Sequence, residues 1–149
     1  MKRTSYREYF NTFVGMIYLQ ANTPAQSLFL TLKEGALIFG DCTNYLMKIV
    51  NQSTLQELFV LPTIYSESDR ISHLGIGTDI NDPLNASIEA LTTGRWAYTI
   101  YGQDSATNLD PTDVSVLGVY EIGYLYILKQ GEFYQEQDLP IPTDIEYNG

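Results

Sequence analysis

The chain has 149 residues, a formal net charge of −10 at pH 7 and a single cysteine. A chain of this length forms one domain whose core needs neither a disulfide nor a metal, and one cysteine excludes an internal disulfide. Eighteen acidic residues against eight basic residues argue against a nucleic-acid partner, because phosphate binding requires clustered positive charge.

The cysteine and the hydropathy pattern set further expectations. Cys42 is expected to be a satellite core thiol in a protein that folds in a reducing cytoplasm. No apolar run approaches the roughly 18 residues that cross a bilayer, so we expect no membrane partner.

Short runs of β-branched and aromatic residues recur along the chain, separated by clusters of Asn, Asp, Gly, Ser and Pro. This pattern predicts an all-β domain. In chain order, strands are predicted over residues 13–20, 28–32, 44–51, 55–62, 73–78, 87–91, 94–101 and 117–128. Helix is expected only as one turn over residues 4–10. Turn signals at short intervals favour an immunoglobulin-like β-sandwich over a barrel.

The two strands near the C-terminal end have the clearest side-chain alternation. In the strand over residues 94–101, Trp96, Tyr98 and Ile100 share one face, which we predict to be the core face. In the strand over residues 117–128 both faces are mostly apolar, so we expect both to be covered, by the second sheet or by a partner subunit.

Both ends of the chain are predicted to be extended arms. We assign residues 1–26 to an N-terminal arm with the first strand, residues 27–130 to the sandwich, and residues 131–149 to an acidic C-terminal arm. Three basic residues lie in the first seven, whereas the last eighteen hold five acidic residues and no basic one. Aromatic and aliphatic side chains that become buried in a partner contribute most of the binding energy of an interface. The predicted partner-binding residues are Tyr6, Arg7, Tyr9, Phe10, Leu139, Ile141, Ile145 and Tyr147.

No residue pattern indicates catalysis, so we expect a protein that is not an enzyme and has no cofactor. Any Ser–His–Asp or Cys–His arrangement would have to use His73, the only histidine, and that residue lies in an apparent strand. We interpret it as an ordinary sheet residue. Two loops, Asp79 to Asp82 and Asp110 to Asp113, offer oxygen ligands, but turns use the same residues, so calcium binding stays open.

Five segments form an ordered set that is more distinctive than any one of them. They are Asn44-Tyr-Leu-Met-Lys-Ile-Val-Asn-Gln-Ser53, Arg70-Ile-Ser-His-Leu-Gly-Ile76, Leu91-Thr-Thr-Gly-Arg-Trp-Ala-Tyr-Thr-Ile-Tyr101, Ser105-Ala-Thr-Asn-Leu-Asp-Pro111 and Glu121-Ile-Gly-Tyr-Leu-Tyr-Ile127. The set resembles small virion structural proteins of tailed bacteriophages, particularly crAss-like phages and their relatives. The resemblance covers roughly residues 28–128 and does not include either arm.

The resemblance implies a non-enzymatic virion protein, either an auxiliary capsid or decoration protein or a tail, collar or connector component. Its expected partners are the major capsid protein or tail and portal-region proteins, together with copies of itself. The expected location is the virion, assembled in the host cytoplasm. An alternative from another functional class is a carbohydrate-binding surface module that stacks sugars on exposed Tyr and Trp side chains. The predicted core position of Trp96 argues against this alternative.

Overall fold

The structure, a computed structural model, describes residues 16–89 and 91–131. This part of the chain forms two packed β-sheets and one short α-helix. The strands are β1 Met16–Gln20, β2 Gln26–Leu30, β3 Asn44–Asn51, β4 Glu57–Val60, β5 Thr63–Glu67, β6 Ser72–Ile76, β7 Gly94–Gln103 and β8 Val116–Leu128. The helix α1 covers Lys33–Phe39, and Pro83–Asn85 form a 3₁₀ turn. The predicted all-β sandwich is therefore confirmed.

One sheet has five strands in the order β1-β8-β7-β3-β4, and the other has three in the order β2-β6-β5. All pairs are antiparallel except β1 with β8, whose register runs from Met16 opposite Tyr124 to Gln20 opposite Leu128. The first strand is therefore an edge strand of the larger sheet. The chain passes from the larger to the smaller sheet within Leu61 and Pro62, between β4 and β5.

The core lies between the two sheets. As predicted, Trp96, Tyr98 and Ile100 of β7 are fully buried, and each such side chain contributes about 1.5–3 kcal/mol by leaving water. The indole Nε1 of Trp96 donates to the carbonyl oxygen of Thr92 at 2.9 Å, so this apolar ring leaves no unsatisfied donor. The opposing sheet contributes Leu28, Leu30, Leu74 and Ile76 to the same cluster.

A β-bulge in β8 changes which side chains face the core. Ile100 pairs with Glu121, but the next residue, Tyr101, pairs with Val119, so Tyr120 has no partner in β7. An extra residue in one strand locally reverses the alternation of side chains. Tyr120 consequently points into the protein, while Ile122 and the tyrosines beyond it point outward.

The helix α1 packs on this bulge. A Cβ atom on Gly35 would lie 2.6 Å from the Cα atom of Tyr120, so only glycine permits the observed approach. The ring of Phe39 stacks on that of Tyr120 with centroids 5.9 Å apart and lies over Gly118. The helix ends at Gly40, whose φ of 97° is costly for other residues.

Three local predictions were wrong. Helix α1 was not predicted. The strand predicted over residues 55–62 is present as β4, but the following strand β5 was not predicted. The strand predicted over residues 87–91 is absent from the described part of that segment, where Ser87 forms only isolated bridges to Gly77 and Asp82.

Candidate functional site

The partner-binding residues predicted in the two arms lie outside the described residues. Tyr6, Arg7, Tyr9 and Phe10 precede residue 16, and Leu139, Ile141, Ile145 and Tyr147 follow residue 131. On the two sheets, exposed aromatic side chains form two separate groups.

The first group lies on the outer face of the five-stranded sheet. It consists of Tyr18, Ile122, Tyr124 and Tyr126 together with Arg95, and we call it the tyrosine face. Ile122 is 70% exposed and the three tyrosines are 40–42% exposed. The rings of Tyr18 and Tyr126 lie side by side with centroids 6.4 Å apart, because β1 and β8 place these residues opposite each other.

Arg95 supplies the charge of the tyrosine face. Its guanidinium carbon lies 4.1 Å from the centroid of the Tyr124 ring, a cation–π arrangement worth about 0.5–1 kcal/mol at exposed sites. Beside it, Ala97, Thr99 and Gly123 contribute to a depression of about 310 Å³. The sequence predicted cover for both faces of β8, but the described residues of this chain cover only the inner one.

The second group lies on the outer face of the three-stranded sheet, where His73 stands between two rings. Its imidazole stacks on Phe29 with centroids 4.5 Å apart, and Tyr65 lies 4.8 Å away on the other side. His73 Nε2 is 2.8 Å from Ser27 Oγ. These neighbours include no carboxylate that would orient a catalytic histidine, so the geometry matches the predicted sheet residue.

Cys42 lines a cavity of about 240 Å³ beside α1, together with Tyr45 and Glu67. Burial raises the pKa of the Cys42 thiol, and the reactive form of cysteine is the thiolate. The Glu67 carboxylate accepts hydrogen bonds from the Tyr45 hydroxyl and from Ser72 Oγ. The Cys42 thiol is therefore protonated, and the Glu67 carboxylate already accepts two hydrogen bonds. Cys42 is accordingly not an activated nucleophile.

The loop from Asp110 to Asp113 is stabilised by its own hydrogen bonds. Asp110 accepts from the backbone N–H and hydroxyl of Thr112, and Asp113 accepts in the same way from Ser115. These bonds lower the pKa of both carboxyls. Within the described residues, no group of three His, Cys, Asp or Glu side chains is arranged to hold a metal ion.

A partly buried polar network connects the two sheets. Glu121 of β8 accepts hydrogen bonds from the Tyr98 hydroxyl and from both the backbone N–H and the hydroxyl of Thr31, which follows β2. Burial raises the Glu121 pKa, although these three donors oppose the shift. The network links strands of different sheets and has a structural role.

Comparison with known proteins identifies no relative. No protein-family model matches the chain, and neither a curated protein nor a solved structure has significant similarity to it. In the part of the chain that the structure describes, no helix is long and apolar enough to span a membrane.

The tyrosine face was not predicted as a site, although the spacing of Tyr124 and Tyr126 by two residues placed both rings on one face.

Proposed function

We propose that this chain is a non-enzymatic structural protein of a tailed-phage virion, an auxiliary capsid or decoration protein that binds neighbouring capsid subunits through its sandwich and its terminal arms. The sequence resemblance given above is the source of the virion assignment. The tyrosine face is the observation that supports binding by the sandwich, since exposed apolar groups of this kind mark interaction sites.

We further propose that the sandwich is immunoglobulin-like. The order β2-β6-β5 corresponds to strands B, E and D of that fold, and β8-β7-β3-β4 corresponds to G, F, C and C′. Two features depart from the pattern of antibody domains. Cys42 is the only cysteine, so the disulfide between the sheets cannot form, and Trp96 lies on the strand that corresponds to F instead of C.

The chemistry of the tyrosine face suits a protein interface. Tyrosine and arginine are enriched at the centres of interfaces, whereas lysine and the acidic residues are depleted there. Tyrosine buries a large ring at a low entropic cost, and Arg95 holds the Tyr124 ring in place before a partner arrives. On a capsid lattice, many weak contacts of this type add up through effective concentration.

Occupancy in purified particles tests this proposal. Phage particles are prepared with the wild-type chain, with the double variant Tyr124→Ser/Tyr126→Ser, and with the control Tyr65→Ser. The control removes a tyrosine of similar exposure from the other sheet. Mass spectrometry then gives the number of copies relative to the major capsid protein. Each anchoring tyrosine at an interface contributes about 2 kcal/mol or more, so the double variant should be depleted at least tenfold and the control unchanged.

Melting curves of the free proteins must accompany this measurement. Surface substitutions usually change stability by less than about 0.5 kcal/mol, so the double variant should unfold near the wild-type temperature. The Tyr65→Ser control loses the packing of its ring on Gly75 and is compared at a temperature where it remains folded. A double variant that is folded and incorporated at the wild-type level would disprove the role of the tyrosine face. Absence of the wild-type chain from the particle would disprove the virion assignment itself, and density on the tail instead of the head would favour the tail or connector alternative.

A further inference from the structure

A second cavity lies on the outer face of the three-stranded sheet, away from the tyrosine face. It has a volume of about 240 Å³, smaller than the roughly 300–1,000 Å³ of sites that enclose drug-sized ligands. Its walls include Tyr65, Gly75, Gly77, Asp79 and Asn85. An aromatic ring, two glycines, a carboxylate and an amide therefore surround a space for one small ligand.

The aromatic wall is held in a fixed position. A Cβ atom on Gly75 would lie 2.8 Å from the hydroxyl oxygen of Tyr65, so the ring lies against the bare backbone of β6. His73 packs on Tyr65 from the side and is itself stacked on Phe29. Tyr65 is still 51% exposed, so a ligand can reach the ring. Because the ring is already held by its neighbours, binding costs it little conformational entropy.

The polar wall has hydrogen-bonding capacity that the protein does not use. Among the described residues, Asp79 accepts one hydrogen bond, a long one of 3.4 Å from Ser87 Oγ to its Oδ1. The Asn85 amide donates to Asp82 Oδ2 at 3.0 Å, which leaves its carbonyl oxygen available. A Cβ atom on Gly77 would lie 3.2 Å from Asp79 Oδ1, so glycine leaves room beside the carboxylate.

Two strained backbone positions border the same cavity. Ala25 and Ala86 both line it, and both adopt left-handed conformations with φ of 49° and 64°. Residues with a Cβ atom rarely adopt this conformation, and such strain concentrates at binding sites because the surrounding structure has to impose it.

We propose that this cavity binds a neutral pyranose sugar. The apolar C–H face of the sugar would pack on the Tyr65 ring, and its hydroxyl groups would donate to the Asp79 carboxylate and to the Asn85 carbonyl oxygen. None of the cavity-lining residues is basic and the net charge is −10, so phosphates and acidic sugars are disfavoured. The proposal does not depend on the virion assignment, because it uses a different sheet and a different ligand.

Titration of the ¹⁵N-labelled full chain, followed by amide NMR shifts, tests the site. The probes are glucose, galactose, mannose and N-acetylglucosamine, each added separately. At least one should give saturable shifts at residues 24–25, 63–65, 75–79 and 85–87, with a Kd in the millimolar range. Tyr65→Ala and Asp79→Ala should each weaken binding about tenfold, since each loses a stacking surface or a charged hydrogen-bond acceptor.

Two matched variants separate binding from folding. Tyr65→Phe keeps the ring and should bind within about twofold of wild type, whereas Tyr126→Ala on the other sheet should leave the Kd unchanged. No saturable shift with any of the four sugars would overturn the proposal. Shifts confined to the tyrosine face, or wild-type binding by a folded Tyr65→Ala chain, would also overturn it.

Discussion

Replacing Gly35 by alanine should destabilise the protein even though alanine is the better helix former. Gly35 lies in α1, against the bulge residue Tyr120. The added Cβ atom would lie 2.6 Å from both the Cα and the Cβ atoms of Tyr120. A contact under 3 Å with a backbone atom cannot be relieved by rotating a side chain, so α1 or β8 has to move.

The expected change in the free energy of unfolding is the difference between two opposing contributions. Overpacking a tight contact costs about 1–3 kcal/mol, and a backbone contact belongs at the upper end of that range. Replacing glycine by alanine inside a helix returns about 1 kcal/mol. The net loss in the free energy of unfolding is therefore about 2 kcal/mol. For a chain of this size, each kcal/mol lowers the melting temperature by roughly 2–4 °C, so the expected decrease is about 4–8 °C.

Urea unfolding monitored by tryptophan fluorescence measures this loss directly. Trp96 is the only tryptophan and is fully buried, so its emission reports on the core. Ile38→Ala is the matched control, because Ile38 lies in the same helix and is 74% exposed; its midpoint should stay the same or rise slightly. A Gly35→Ala chain as stable as wild type would refute the packing of α1 on β8.

Two further predictions concern pH. Burial raises the pKa of the Tyr45, Tyr98 and Tyr120 hydroxyls above the ordinary 10.0, so their contribution to stability is complete below pH 10 and is lost as the pH rises further. Absorbance of ionised tyrosine should show these three titrating only as the chain unfolds; titration of all the tyrosines before unfolding would contradict this. Burial also raises the Glu121 pKa above the ordinary 4.5, so its contribution is complete below that pH and decreases above it. Glu121→Gln should abolish this decrease in urea midpoints between pH 4 and 8, and parallel profiles for the two chains would contradict the prediction.

Alternation of side chains was sufficient to predict β7 and its core face. Trp96, Tyr98 and Ile100 repeat at the period of a strand, and a register slip by one residue would expose all three. A run of apolar residues bounded by asparagines located β3 to the residue. Helix α1 was missed because it has only seven residues, two of its apolar residues, Leu37 and Ile38, are exposed, and its packing depends on a glycine.

The chain's own sequence determined that it folds as a sandwich, because strand periodicity and turn residues act over a few neighbouring positions. Only the tertiary structure decided which aromatic rings remain outside. Tyr120 and Tyr124 follow the same alternation in sequence, yet the bulge turns one into the core and leaves the other exposed. The Tyr65 ring, likewise, can lie against the backbone of another strand only because Gly75 has no Cβ atom. Contacts between distant segments select these positions, and no local pattern encodes them.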